Sequence, residues 1–205
     1  MKNFPDKADF ADENRLLPVS ISNKHLHLKQ EQVEELFGAG YRLTIKKELS
    51  QPGQYAAEEA VHVVGPKGMI NNVRIVGPAR SYNQVELSLT DAIKLGIKAP
   101  LRNSGDIAGS ASCVLVGPKG YVILNEGVVI AKPHIHLSVA DGTALGIKDK
   151  DLVDIFFDGE KQAGYFGILA RVGSEHERDV HIDTDEANAV ALASGQKALL
   201  VKRDK

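Results

Sequence analysis

The sequence is poor in three features that would point to a particular class of protein: cysteine, net charge and long apolar runs. Its one cysteine, Cys113, excludes an internal disulfide framework and any zinc finger, and it fits the reducing cytoplasm. The 25 Lys and Arg residues nearly balance the 27 Asp and Glu residues, so the chain lacks the basic field of a nucleic-acid-binding protein. No apolar run approaches the ~18 residues that a membrane helix needs. We therefore expect neither nucleic acid nor membrane as a partner.

The start of the chain also lacks an apolar core. It carries several acidic residues and Pro5, so it does not have the pattern of a signal peptide. Its polar composition and weak periodicity predict a flexible tail over residues 1–13.

What the sequence has instead is a series of short Val, Ile and Leu runs separated by Gly and Pro. The hydrophobic fraction of 43% is enough for a real core. Short β-branched runs at near-regular spacing favour β-barrels or sandwiches over a helical or Rossmann fold. Helical patterns are short and cover Gln30–Phe37, Thr90–Leu95 and Asp185–Ala193. Each ends at or just before a glycine, Gly38, Gly96 or Gly195.

Two short motifs occur twice each. They are Val-Gly-Pro-Lys-Gly, at Val64–Gly68 and Val116–Gly120, and Leu-Gly-Ile-Lys, at Leu95–Lys98 and Leu145–Lys148. Aligning the second motif places Glu86 on His136, and weaker matches place His27 and His181 at the same position. We infer a duplicated strand–turn–helix unit that carries a metal-capable side chain at one equivalent position.

Four of the seven histidines form two His-x-His pairs, His25 with His27 and His134 with His136. In an extended chain, residues i and i+2 point to the same face, about 6–7 Å apart, so each pair can converge on one cation. A helix would set the same residues apart around its circumference. His62 and His176 have no such partner, and the sequence assigns them no role.

Each pair needs at least one further ligand. Glu86 is the candidate for the first pair and His181 for the second. Both sites then have three protein ligands, as in catalytic zinc sites that keep one position open. Imidazole and carboxylate also suit Fe, Co, Ni or Mn. Arg80 lies six residues before Glu86, in a turn before a strand, and is expected to hold an anionic substrate such as a phosphate or a carboxylate.

These features resemble those of one known family, the PduL-type phosphate acyltransferases, also called phosphate propanoyltransferases. The resemblance runs from about Leu17 to the C-terminus. It is carried by Ser22–Leu28, Lys47–Leu49, Gln51–Ala56, Val85–Glu86, Ala99–Arg102, His134–His136 and His181–Asn188.

The resemblance implies a mainly β fold of two similar six-stranded β-barrels with short helical caps. One barrel would comprise residues 14–23 and 132–205, the other residues 24–131, with the active site where they meet. It implies two divalent metal ions, most simply Zn²⁺, held by His25, His27 and Glu86 and by His134, His136 and His181. It makes Arg80 the catalytic, phosphate-binding residue. The implied coenzyme A contacts are Ser22, Asn23, Lys47, Arg74, Val76 and Asn188.

The activity implied by the resemblance is reversible acyl transfer. A short-chain acyl-CoA, acetyl- or propanoyl-CoA, and phosphate would give acyl phosphate and CoA. Because phosphate is itself a nucleophile, we expect it to attack the thioester directly, with assistance from a metal and without an acyl-enzyme. A homodimer is implied as well. Relatives that act in propanediol degradation inside bacterial microcompartments, among shell and cargo proteins, carry an amphipathic N-terminal helix. Lys2–Arg15 has no apolar stripe of helical period, so a cytoplasmic enzyme is equally expected.

Two other interpretations fit parts of the sequence. His25, His27, Glu31 and Gly38 have the spacing of a cupin motif, but Val19 stands where that motif begins with glycine, and Glu31 lies in a helical pattern. A metal-dependent barrel without catalysis is the third interpretation. Three-ligand sites beside an arginine speak against it, because a structural zinc site closes with four ligands.

Overall fold

The computed structural model describes residues 4–193 and 195–203, so the first three residues of the predicted tail lie outside the described residues. Fourteen strands are described: β1 Leu16–Ser22, β2 His25–His27, β3 Ile45–Glu48, β4 Tyr55–Gly65, β5 Gly68–Gly77, β6 Gln84–Glu86, β7 Leu101–Arg102, β8 Ala111–Val116, β9 Tyr121–Ala131, β10 His134–Leu137, β11 Leu152–Phe157, β12 Ala163–Val172, β13 Asp179–Asp183 and β14 Lys197–Lys202. The helices are α1 Gln30–Phe37, α2 Leu89–Leu95, α3 Val139–Leu145 and α4 Thr184–Ala189.

The chain folds as two compact units, each with its own core. We call them the terminal barrel (residues 4–22, 50–52 and 133–203, apart from 194) and the central barrel (residues 23–49 and 53–132). The short segment Ser50–Pro52 belongs to the terminal barrel although the residues on both sides of it belong to the central one. Aliphatic side chains fill both cores.

Six strands close the terminal barrel, in the order β1-β13-β10-β12-β11-β14. Strand β1 is parallel to β13, and β10 is parallel to β12, while the other neighbours are antiparallel. The central barrel closes in the same way, in the order β9-β6-β2-β5-β4-β8, with β3 and β7 added outside the ring. Its β9–β6 and β2–β5 pairs are parallel and the other four are antiparallel. The predicted pair of similar six-stranded barrels is confirmed.

The same strand–helix unit occurs four times, twice in each barrel. Helix α1 begins at the third residue after His27, α2 after Glu86, α3 after His136 and α4 after His181. In α2, α3 and α4 the N-cap side chain, Ser88, Ser138 or Asp183, accepts a hydrogen bond from the third helical N–H, which satisfies a donor that the helix itself cannot pair. Helix α1 follows Lys29, which makes no side-chain cap. Helix α4 ends at Ala189, four residues before the end that the sequence predicts.

The Leu-Gly-Ile-Lys repeat ends two of these helices. Gly96 and Gly146 adopt the left-handed conformation that favours glycine, with φ of 72° and 64°. The next residue then folds back: the Ile97 N–H donates to Ala92 O at 2.9 Å and the Ile147 N–H to Gly142 O at 2.8 Å. Both isoleucines are buried, so the motif stops the helix and anchors the chain in the core.

The Val-Gly-Pro-Lys-Gly repeat forms the β4–β5 and β8–β9 hairpins of the central barrel, and each hairpin caps a helix of that barrel. The Lys67 N–H donates to Leu95 O at the end of α2, and the Lys119 N–H donates to Leu36 O in the last turn of α1. A Cβ at Gly65 would lie 2.5 Å from Leu95 O, so the close approach requires glycine there. Repetition in the sequence therefore reflects repetition in the fold.

Short 3₁₀ turns occupy Asp9–Ala11 and Glu13–Arg15 in the N-terminal segment, and Arg15 pairs with Asp9 and Asp12. Among the described residues, no helix is both long and apolar enough to cross a membrane.

Candidate metal centre and active site

Each barrel presents four polar side chains on one face of two paired strands. In the central barrel, β2 and β6 pair His25 with Glu86 and His27 with Gln84. Alternate residues of a strand, and residues directly opposite on its neighbour, share a face. Leu26 lies between the two histidines and points into the barrel core, so the four polar side chains face away from that core.

The first predicted ligand set comes together in the central barrel. One possible donor atom from each of His25, His27 and Glu86 lies within 4.8 Å of the other two. The Nδ1 atoms face backbone carbonyls, at 2.8 Å from Asn23 O and 3.0 Å from Val76 O. A carbonyl only accepts, so Nδ1 carries the proton and Nε2 keeps the lone pair that a cation needs. Glu86 Oε2 lies 3.7 Å from His25 Nε2. The residues therefore fit a divalent cation.

Two neighbours hold the Glu86 carboxylate in place. Gln84 Nε2 and Ser104 Oγ both donate to its Oε1, at 2.5 Å and 2.8 Å. The Gln84 amide oxygen in turn accepts from the Gly105 N–H at 2.8 Å. Because Oε1 is engaged in this way, Oε2 is the oxygen turned toward the imidazoles. The sequence analysis missed Gln84 and Ser104; the signal was the position of Gln84 two residues before Glu86, matching His25 before His27.

Burial keeps the His27 imidazole in the neutral form that binds metals. It lowers the pKa of His27 from 6.5 to about 3, and the charges of His25 and Arg80 add to this effect. The Arg80 backbone N–H donates to Leu28 O at 2.8 Å, so Arg80 lies beside the segment that carries His25 and His27. Arg80 donates to the Tyr82 hydroxyl at 2.9 Å and to Gln54 Oε1 at 3.1 Å, so these two side chains fix the direction of the guanidinium.

The residues expected to contact coenzyme A lie in both barrels. Arg74 donates to the backbone carbonyls of Ala57 and Glu58, and the Val76 carbonyl faces His27. Lys47 is exposed on β3, and Asn23 is exposed two residues before the start of β2. In the terminal barrel, Ser22 ends β1 and Asn188 is exposed on α4.

The second predicted set, in the terminal barrel, has closely packed imidazoles. The ring centroid of His134 lies 5.0 Å from that of His136 and 5.1 Å from that of His181, and the last two centroids are 4.7 Å apart. Nε2 of His136 is buried and has no hydrogen-bond partner among the described residues, while Nε2 of His181 lies 3.3 Å from Asp179 Oδ2. The three imidazoles of the second predicted set therefore lie together on one face of the terminal barrel.

Gln51 orients the second histidine of this set. Its Oε1 lies 2.7 Å from His136 Nδ1, which directs Nε2 away toward the other rings. The Gln51 amide also donates to Glu177 O at 3.2 Å. Burial lowers the pKa of His136 to about 2, with smaller effects from the other histidines of the cluster. The ring centroid of His176, to which the sequence assigns no role, lies 4.4 Å from that of His136, with the ring planes 53° apart. The sequence analysis did not single out Gln51 as a site residue.

Together, the fold and the cluster define a two-barrel protein with a metal-capable centre beside an arginine. The comparisons with known proteins narrow this class. A sequence profile described as phosphate propanoyltransferase matches residues 18–193. A phosphate propanoyltransferase of Thermotoga maritima is 48% identical over 90% of this chain and 88% of its own length. Those of Lachnoclostridium phytofermentans and Priestia megaterium are 52% and 50% identical, over 88% and 92% of this chain and 84% and 87% of theirs.

The chain therefore belongs to the phosphate propanoyltransferase family, and the protein is an acyltransferase. This excludes the interpretation as a metal barrel without catalysis. The cupin interpretation is also wrong, because Glu31 lies on helix α1 and Glu86 is the carboxylate that joins the two histidines.

Proposed function

We propose that this protein transfers a short-chain acyl group, propanoyl or acetyl, between coenzyme A and phosphate. A phosphate oxygen attacks the thioester carbonyl carbon, the C–S bond breaks, and the products are acyl phosphate and CoA thiolate. The observation that carries the proposal is Arg80, whose side chain is held by Gln54 and Tyr82 and whose backbone N–H donates to Leu28 O, next to His27 of the histidine–carboxylate cluster. Phosphate is itself anionic and nucleophilic, so the chain needs no serine or cysteine nucleophile.

Arg80 binds phosphate and orients one oxygen toward the carbonyl carbon. A guanidinium matches two phosphate oxygens at once, and its fixed direction pre-orients the nucleophile. Such positioning lowers the barrier by up to about 7–11 kcal/mol in well-aligned cases. Coenzyme A carries phosphate groups, and Lys47 and Arg74 are the basic residues of the central barrel that we assign to its binding, with Ser22, Asn23, Val76 and Asn188 as further contacts.

We assign one divalent cation, most simply Zn²⁺, to His25, His27 and Glu86, and a second to His134, His136 and His181. A cation at the first site would polarise the thioester carbonyl, stabilise the developing oxyanion and accept the thiolate, an effect of several kcal/mol. Glu86 supplies the negative charge that this site needs, and His25 and His27, whose Nδ1 atoms face backbone carbonyls, offer their Nε2 atoms. Oligomeric state, cytoplasmic location and encapsulation stay predictions from the family resemblance.

The decisive experiment measures phosphate-dependent release of CoA from acetyl-, propanoyl- and butanoyl-CoA, with acyl phosphate trapped by hydroxylamine. Wild-type protein should release CoA only when phosphate is present. Arg80→Ala should lose this activity and keep its metal, and Arg80→Lys should recover part of it at raised phosphate concentration. Arg42→Ala is the matched control, because Arg42 is an exposed arginine of the same barrel. CoA release that is independent of phosphate, or a burst of acyl-enzyme, would refute the proposal.

A further inference from the structure

A cavity beside strand β4 of the central barrel has no role so far, and we call it the β4 cavity. Its volume is about 460 Å³. It is lined by four residues of β4, by two aromatic rings at and after the end of α1, and by residues 116–118 at the end of β8. A cavity of this size holds one small organic molecule. Strand β5 separates β4 from β2, and none of the lining residues belongs to the histidine–carboxylate cluster.

The cavity lies where one edge of β4 lacks a partner strand. Toward its start, β4 pairs with β3 through residues 55–57, and toward its end it pairs with β8 through residues 62–64. Strand β5 pairs along the other edge. Among the described residues, no strand pairs with the first edge between Ala57 and His62. The opening therefore follows from the topology of the sheet.

Two carboxylates give the β4 cavity a negative charge. Glu59 is 6% exposed, and it accepts hydrogen bonds from Tyr41 Oη at 2.9 Å and from the Thr44 N–H at 3.0 and 3.1 Å. Burial opposes its ionisation, but the hydrogen bonds from Thr44 and Tyr41 outweigh burial and lower the pKa of Glu59. Glu58 is exposed and pairs with Lys46 at 2.9 Å. Two carboxylates beside one ammonium group leave a net negative charge, which disfavours an anionic ligand.

Rings supply the other contacts of the cavity. The ring of Tyr41 stacks on that of Phe37, with centroids 5.1 Å and planes 27° apart. Such a pair favours a flat partner, because aromatic rings prefer stacked or edge-on neighbours. Nδ1 of His62 is buried and has no hydrogen-bond partner among the described residues. A ligand that hydrogen-bonds to this imidazole would satisfy a polar group that the chain itself leaves unpaired.

We propose that the β4 cavity binds a small planar aromatic molecule that carries N–H donors and no negative charge, such as an amino-substituted heterocycle. Its ring lies against Tyr41, an N–H group donates to the Glu58 carboxylate, and a ring nitrogen hydrogen-bonds to His62. The site is separate from the one assigned to CoA, whose phosphates would be repelled by Glu58 and Glu59. The inference goes beyond the proposed function and does not depend on it.

The first test compares two probes that differ in charge. 2-Aminobenzimidazole is planar and carries N–H donors, whereas benzimidazole-2-carboxylate has the same ring system and an anionic group. In isothermal titration calorimetry, wild-type protein should bind the first probe with a Kd below about 1 mM, as suits a ligand of this size. It should bind the second at least about 10-fold more weakly. No binding of 2-aminobenzimidazole, or equal binding of both probes, would overturn the inference.

The second test locates the bound probe. Glu58→Gln removes the charge and keeps the size of the side chain, and His62→Leu removes both ring nitrogens. Each should weaken binding of 2-aminobenzimidazole about 10-fold. Glu31→Gln is the matched control, because Glu31 is an exposed glutamate of the same barrel that does not line the cavity, and it should bind like wild type. Wild-type affinity in both cavity variants would overturn the inference.

A competition experiment separates this site from the coenzyme site. Saturating CoA should leave the affinity for 2-aminobenzimidazole unchanged, and displacement of the probe by CoA would overturn the inference. None of these measurements requires turnover. Failure of wild-type protein to release CoA with phosphate would therefore refute the proposed function alone.

Discussion

The two barrels share strand order, pairing and helix positions, yet they fill the four polar positions differently. The central barrel has His25, His27, Gln84 and Glu86; the terminal barrel has His134, His136, Asp179 and His181. The two histidines of each His-x-His pair are common to both, and the opposite strand carries the difference. The fold therefore sets the four positions from which side chains can bind a metal. The residue at each position then determines whether that side chain is charged and which neighbouring amide or hydroxyl hydrogen-bonds to it.

The supporting groups differ in the same way. In the central barrel, the ligand carboxylate of Glu86 is held by Gln84 and by Ser104 from the chain after β7. In the terminal barrel, the imidazole of His136 is held by Gln51. In the central site, hydrogen bonds therefore orient the Glu86 carboxylate, and in the terminal site a hydrogen bond orients the His136 imidazole.

Removing the charge of the central site should have the largest effect. Glu86→Gln keeps the size of the side chain and removes its negative charge, so the central barrel should lose its cation. We expect activity to fall by more than ~100-fold, because even groups that only support a ligand are worth about 10–100-fold. Metal analysis and the CoA-release assay measure the two effects, and half of the metal should remain.

Full activity in Glu86→Gln, or loss of both metals, would contradict the view that the central barrel holds its own catalytic cation. The first result would remove the central cluster from catalysis. The second would mean that the two sites do not load independently.

Removing the hydrogen bond from Gln84 to Glu86 should have the second-largest effect. Gln84→Met keeps the volume and removes the amide that donates to Glu86 Oε1. The carboxylate then loses one of its two anchors, and cation affinity in the central barrel should fall about 10–100-fold. Chelator competition, in a His134→Ala background that lacks the terminal site, measures this affinity. An unchanged value would show that Ser104 alone holds the carboxylate.

Much of this arrangement could be predicted from local sequence. The His-x-His pairs, the choice of Glu86 and the strand runs follow from period-two patterning and from the Leu-Gly-Ile-Lys repeat, whose glycines end helices. The supporting groups could not be predicted, because they come from distant parts of the chain. Gln51 hydrogen-bonds to Glu177 and His136, which no periodicity connects to it. The burial of Asp179 is also hidden from the sequence, since it arises only in the folded chain.

A similar difference exists within the central barrel. Its two Val-Gly-Pro-Lys-Gly hairpins leave different amounts of space around their last glycine, Gly68 or Gly120. A Cβ at Gly120 would lie 2.6 Å from Glu35 O, whereas one at Gly68 would find only Lys94 O, at 3.8 Å. Gly120→Ala must displace helix backbone and should lower the free energy of unfolding by about 1–3 kcal/mol. Gly68→Ala should change it by less than ~1 kcal/mol. Urea denaturation measures both, and equal effects would contradict the clearance argument.

The two helices of the terminal barrel, α3 and α4, differ in their third residue. In α3 this is Asp141: burial opposes its ionisation, but hydrogen bonds from Ser138 and Arg178 outweigh burial and lower its pKa. In α4 it is Glu186, for which the described part of the chain provides no cationic partner. Its burial raises the pKa from 4.5 to about 7; the N–H of Asp183 opposes this, and the charges of Asp183 and Asp185 add to it.

The smallest expected effect is therefore a pH dependence specific to α4. Since the folded-state pKa of Glu186 lies above the unfolded value, the folded protein binds the proton more tightly, and stability falls as pH rises from about 4.5 to about 7. Glu186→Gln stays neutral and still caps the helix, so it should lack this fall. Because Glu186 is only partly buried, the difference between the two proteins should be roughly 1 kcal/mol over that range. Denaturation midpoints of both proteins, at equal metal content, measure this difference. Parallel pH profiles would show that protonation of Glu186 does not cause the pH dependence of stability.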